Sequence, residues 1–353
     1  MKLLLLSLFL WTPVCLAGTA PYVVIDLFTY SEPVTVADVI NNRNGEFSGG
    51  EIALTHNWAE VGATYNNFGI GILGRYDYDL EFSEDTAEFY YLINNKKPLP
   101  TGRMFDLSLD AKHTHSEGVR LSYLYQLNKK TNITLGLSYL RGVWMTEGNA
   151  QGQGVALAEN DYDFEFNVDY YYSEDLILER RVDAPSGDGY SIDFALDWTV
   201  VNNLNLNLRI IDLLGRIYWD YAPFTTATAT SDVKEYDDDG YLIYQPVLSG
   251  YETNADFTQV LQPQIKALLN YRWTPRLSAE AAIQSYHVAD FYQLGLRYYF
   301  GTTSSISTRY TFDTHAISIA YNMRYFNIML ISDALDFIEA HTLGLSLNAG
   351  FHF

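Results

Sequence analysis

Apolar and polar residues alternate one by one along most of this chain, and the pattern is cleanest at its end. From Thr342 to Phe353, the residues Leu343, Leu345, Leu347, Ala349, Phe351 and Phe353 share one face, while Gly344, Ser346, Asn348, Gly350 and His352 share the other. A period of two is a β-strand, and this one has about the length of a tilted membrane-crossing strand. The same alternation predicts strands over Glu51 to Asn66, Phe68 to Phe82, Arg103 to Lys112, Gly118 to Leu127, Ile133 to Met145, Tyr190 to Thr199 and Leu204 to Tyr218. It continues over Gln264 to Trp273, Leu277 to Tyr286, Phe291 to Phe300, Ser304 to Phe312, His315 to Asn322 and Tyr325 to Ile331. With the last strand the count is 14; a break at Trp58 to Glu60 would make three short strands of the first pair, and the placement of the Ser83 to Gly102 connection keeps 12 to 16 open.

An uninterrupted apolar face on a terminal edge strand invites aggregation in water, and a closed barrel has no edge. The expected fold is all-β: a transmembrane antiparallel up-and-down barrel, with apolar residues toward lipid and polar ones toward the lumen. An even strand number puts both termini on one side, taken as periplasmic. The short turns at Thr274 to Arg276, Gly301 to Thr303 and Asn322 to Arg324 fall there, and long loops near 147–187 and 220–262 face out. That parity also sends the long connection Ser83 to Gly102, whose Pro98 and Pro100 deny it a ladder, to the periplasmic side, which fits poorly. Gly18 to Gly50 shows no sustained alternation and is expected to lie in the lumen as a plug, with a loose periplasmic tail as the other reading.

Composition sharpens this. The chain holds 29 Tyr, 19 Phe and 24 Gly, and its mean hydropathy of −0.09 suits a wall whose two faces cancel in any average. Met1 to Ala17, with Lys2 ahead of an apolar run and small residues before Gly18, reads as a secretory signal peptide, and the single cysteine, Cys15, leaves with it. A net charge of −21 excludes a nucleic-acid partner, which needs clustered Lys and Arg.

The hairpin YRWTPRLSAEA at 271–281, LRYYFG at 296–301, and NIMLISDAL followed by LGLSLNAGFHF resemble the FadL and PorV type of fourteen-stranded barrel. The likeness covers the C-terminal third in residues and the rest in pattern; it brings no ligand-binding residues with it. The last strand resembles that of Gram-negative outer-membrane barrels, where a terminal Phe and alternate apolar residues are read by the barrel-assembly machinery. The resemblance implies Phe351 and Phe353 as the assembly signal. It also implies the cell outer membrane as location, with that machinery, membrane lipid and lipopolysaccharide as partners.

Alternation assigns the lumen residue by residue. With Tyr76, Tyr78 and Leu80 outward, Arg75, Asp77 and Asp79 point in; the same logic places Asp106, Asp110, Lys112, Arg120, Asp193, Asp197, Arg209, Lys266, Arg272, Glu280, Arg297 and Arg309 inside. These are seven acids and eight bases, so the excess negative charge belongs to the loops, where divalent cations are expected as further partners. Paired lumen charges hold a barrel in shape, and a charge on its lipid face would cost about 2–4 kcal/mol at mid-membrane. The same charges suit a constriction that sorts small solutes. His113 and His115 share a face but have no third ligand in view for a metal, and no cofactor motif is present. No Ser, His and Asp or Asn set resembling outer-membrane hydrolases appears, although Ser346 with His352 or His315 are pairs that only a fold can separate. The expected function is a channel or transporter for small solutes. The alternative is a non-catalytic envelope assembly or secretion partner acting through acidic outer loops.

Overall fold

The structure is a computed structural model that describes residues 19–41, 45–175, 181–231, 234–243 and 247–350. The expected leader, and with it Cys15, and the expected assembly-signal residues Phe351 and Phe353 lie outside the described residues. In chain order the elements are β1 (Thr19–Ser31), α1 (Val36–Asn41), β2 (Ile52–Tyr65), β3 (Phe68–Phe82), α2 (Glu84–Asn94), β4 (Met104–Asn128), β5 (Thr131–Ala158), β6 (Asp161–Tyr172) and β7 (Ser186–Val201). There follow β8 (Leu204–Thr230), β9 (Glu235–Tyr236), β10 (Leu242–Ile243), β11 (Val247–Leu261), β12 (Gln264–Arg272), β13 (Leu277–Ser285) and β14 (Asp290–Phe300). The chain ends with β15 (Ser304–Thr311), β16 (Ile317–Asn322), β17 (Phe326–Ser332) and β18 (Thr342–Gly350). Among the described residues, neither helix is long and apolar enough to cross a membrane.

The strands close into a ring of 14 antiparallel staves, β1, β2, β3, β4, β5, β7, β8, β12 and onward to β18, which pairs back with β1. Leu27 of β1 stands against Leu345 on one side and Asn57 on the other. Short turns join β2 to β3, β4 to β5, β7 to β8, β12 to β13, β14 to β15 and β16 to β17, all at one rim. At the first of them Asn66 takes φ 54°, the left-handed conformation that a two-residue hairpin turn requires. Every longer connection leaves from the opposite rim.

Three expectations are corrected. Thr19–Ser31 is a stave, not a plug: its inward residues Tyr22, Val24 and Phe28 are themselves apolar and packed, so alternation fades although the strand is regular. Arg103 to Lys112 and Gly118 to Leu127 are one strand, β4, continuous through Thr114. The two errors cancel in the count, and the added first stave moves the Ser83 to Gly102 connection, with α2, to the long-loop rim. Third, 147–187 and 220–262 are largely strand rather than loop. β5 and β8 run on past the ring, β6 pairs with both of those extensions, and β11 pairs with the extension of β8. α2 and the aromatic residues Phe89, Phe105, Tyr162 and Phe164 form a separate core there.

The outward face carries an apolar band, with Ile70, Ile72, Val119, Leu121, Leu135, Leu137, Leu294, Leu296, Ile306 and Ile319 exposed. Tyr65, Phe68, Tyr123, Tyr125, Trp198, Tyr271, Tyr298 and Phe300 girdle it near the short-turn rim, and Tyr76, Tyr139, Tyr190, Tyr218, Tyr292 and Tyr310 girdle it on the other side. Two aromatic girdles around an apolar band are what a bilayer and its two interfaces demand.

Candidate functional site

The lumen is closed across its middle by side chains of its own wall. Lys266 on β12 bonds Asp26 on β1 at 2.6 Å, and those staves are seven apart whichever way the ring is counted. Arg75 on β3 reaches Asp212 on β8 through two bonds of 2.8 and 2.6 Å, and holds Asp77 at 2.6 Å. His56 on β2 sits between Asp79 at 2.7 Å and Asp77 at 3.1 Å and meets Gln264 of β12 at 3.0 Å. Arg120 bonds Asp193 at 2.9 Å. Arg75 and Asp212 are 3% and 1% exposed, so each charge depends on its partner: removing one member of a buried pair costs about 3–5 kcal/mol.

Toward the long-loop rim the closure is completed by two further layers. The turn after β13 tucks inward, stacking Tyr286 on His56 at 4.6 Å and on Phe28 at 5.4 Å, while His287 meets Lys112 at 3.2 Å. Trp219 lies on the bare backbone of Gly142 and Gly187. Its indole N–H donates to Gln259, whose amide in turn donates to the carbonyl oxygen of His113 on β4. Met145, Ile217 and Leu261 pack beside it.

Toward the short-turn rim the lumen opens into a cavity of about 470 Å3, lined among others by Glu60, Arg120, Asp193, Arg209, Lys266 and Arg309. It shares Asp197, Asn207 and Leu268 with a second space of about 430 Å3 near the short turns.

The sequence-derived lumen residues thus divide by height. Arg75, Asp77, Asp79 and Lys112 stand at the closure, and Arg120, Asp193, Asp197, Arg209, Lys266 and Arg309 surround the cavity. Glu280 pairs with Arg297 along the wall, and Arg272 stacks on Tyr299 at the short-turn rim. Asp106 and Asp110 are exposed toward the long-loop end of β4: Asp110 stands opposite Glu81 of β3, while Asp106 lies past the end of β3 and accepts from Gln153. His113 faces outward, edge-on to Tyr76 and Tyr78 and against Trp144, an aromatic setting without ligand geometry. His315 sits in the turn after β15, bonded to Tyr310.

Four contributors escaped the sequence reading: Asp26, His56, Glu60 and Asp212. Asp26 is the only charge in an apolar run, and that was its available signal. Asp212 was hidden by a bulge, where φ of 55° and a register shift against β7 turn two successive side chains inward.

No protein-family model matches the chain, and no curated protein sequence matches it. Solved structures to which it is similar include the toluene transporter TodX of P. putida, at 9% identity over 96% of this chain and 91% of that chain, with a TM-score of 0.41. Another is the toluene transporter TbuX of Ralstonia pickettii, at 10% identity over 94% of this chain and 88% of that one, with a TM-score of 0.32. A FadL homologue of Pseudomonas aeruginosa is similar at 11% identity over 94% and 86%, with a TM-score of 0.25. The barrel itself stands on the chain's own strand pairing.

Proposed function

We propose that this chain is an outer-membrane channel or transporter for small polar solutes, closed at rest by ion pairs that cross the lumen. The short-turn rim faces the periplasm and the extended strands face outside. The observation that carries the reading is the Asp26 to Lys266 pair with its neighbours: a wide barrel held shut by single side chains above a cavity of mixed polar and apolar lining. Fourteen staves enclose more room than the roughly eight whose interior side chains fill, so a closure of this kind separates two aqueous compartments instead of completing a core.

The test is conductance in planar bilayers. Lys266→Gln together with Asp26→Asn, and separately Asp212→Asn, should raise single-channel conductance at least severalfold over the wild type while the protein keeps its heat-modifiable mobility. If both variants insert and conduct no better than wild type, the channel reading fails. A second reading, assembly with an envelope partner, is favoured by β11. Among the described residues its main-chain ladder is with β8 alone, so its other edge carries no strand and is of the kind that accepts an added one.

A further inference from the structure

We infer that the 470 Å3 cavity on the short-turn side of the closure binds a small polyhydroxylated carboxylate, of the sugar-acid class. This rests on the channel reading and names the solute that the lumen takes.

Charge accounting around the cavity leaves cations over. Glu60 accepts from Tyr22 at 2.6 Å and from Trp58 at 3.2 Å, and Asp193 accepts from Arg120 at 2.9 Å and Ser191 at 3.1 Å. Asp197 accepts from Asn207, and Lys266 is held by Asp26. Two guanidinium groups are not matched in this way. Arg209 makes no ion pair within 4 Å among the described residues, its charge acting on Asp26 only from farther off, and lies 5.8 Å from the centre of the Trp58 ring. Arg309, 9% exposed, donates from one terminal nitrogen to the Met329 sulfur at 2.7 Å and reaches Glu280 only at 3.9 Å, and Glu280 already holds Arg297. The Nε of Arg309 is buried with no hydrogen-bond partner among the described residues. A buried cation short of partners is costly, and a carboxylate matches the guanidinium fork.

The rest of the lining selects what the carboxylate is attached to. Gln293, 3% exposed, keeps its Oε1 without a donor among the described residues, so it calls for a hydroxyl-bearing ligand. Ser122, Thr134, Asn207, Gln284 and Asn348 bring uncharged hydrogen-bonding groups to the same space, which an alkyl chain would leave unpaired, while Val24, Leu208, Ile283 and Met329 give it an apolar side for the carbon face of the ligand. The volume lies within the range of about 300–1,000 Å3 usual for small-molecule sites. Entry is from the short-turn side, through the adjoining space that shares Asp197 and Asn207, so binding does not require the closure to open.

The experiment is calorimetric titration of the purified full-length protein in detergent with gluconate, with glucose as the neutral relative and hexanoate as the anion without hydroxyls. Gluconate should bind at least tenfold more tightly than either. Arg309→Gln and Arg209→Gln should each weaken it about tenfold while preserving heat-modifiable mobility. Arg272→Gln, which lies at the rim and outside the cavity, should leave binding unchanged. Equal affinity for glucose or hexanoate, no measurable gluconate binding, or full affinity in a folded Arg309→Gln protein would each overturn the assignment. Conductance of the Lys266→Gln and Asp26→Asn variant is read separately, so a channel with a different solute and a binding site without conduction give distinct results.

Discussion

Gly142 and Gly187 show how much the closed lumen asks of single positions. A Cβ at Gly142 would stand 2.4 Å from the ring of Trp219, and one at Gly187 2.7 Å from it; both glycines exist so that the indole can lie flat on the inner wall. Gly142→Ala should therefore destabilise the folded barrel by about 1–3 kcal/mol through overpacking, read as a lower unfolding temperature of the heat-modifiable form. It should also displace Trp219 from Gln259, visible as a red-shifted tryptophan emission. Neither glycine could be assigned this role from the sequence, because the partner lies on β8, far along the chain. The inward direction of Arg75, Asp77 and Asp79 was legible from period-two alternation alone, since their staves have one apolar and one polar face. Asp26 and Asp212 were not, for opposite reasons: β1 is apolar on both faces, and β8 breaks its own alternation at a bulge.

At the scale of elements, β1 decides how the ring closes. It pairs with β18 over Tyr22 to Tyr30 and with β2 over Thr19 to Ser31. A deletion of Pro21 to Asn44 would thus remove a stave and leave β18 facing β2 across an unbridged gap. Such a protein should fail to reach the heat-modifiable folded form and be degraded, where removal of a plug would have left a folded, more conductive barrel. A stable truncated protein with raised conductance would contradict the placement of this segment. The helix α2 was read as loop because Pro98 and Pro100 dominate that stretch. Its start was nevertheless marked by Ser83, whose side chain accepts from the Thr86 N–H, and by Glu84 and Asp85 in the first turn, where acids complement the helix dipole. The extension of β5 was misread because glycines at 148, 152 and 154 look like loop punctuation, and that of β8 because the run Asp237 to Gly240 marks its surroundings as loop. In the sheet they let neighbouring strands approach: a Cβ at Gly148 or Gly152 would sit within 2.2 Å of a carbonyl oxygen on β6.

For the molecule as a whole, alternation and turn chemistry were sufficient to predict a membrane barrel, because lipid enforces them on every stave. What closes the lumen was beyond their reach, since contacts between opposite staves depend on barrel diameter and register, which no local pattern encodes. That closure also has a kinetic signature. The groups that must part are side chains on fixed strands, so opening needs changes of rotamer, intrinsically a picosecond-to-nanosecond event in exposed residues, and no excursion of a folded segment on the microsecond-to-millisecond scale. Burial slows those rotations but gives the open arrangement nothing to latch onto, so the pairs re-form as soon as the side chains swing back. Current through the wild-type protein should accordingly appear as brief spikes and excess noise at the limit of bandwidth, and square openings with long dwell times would mean that backbone, not side chains, is moving.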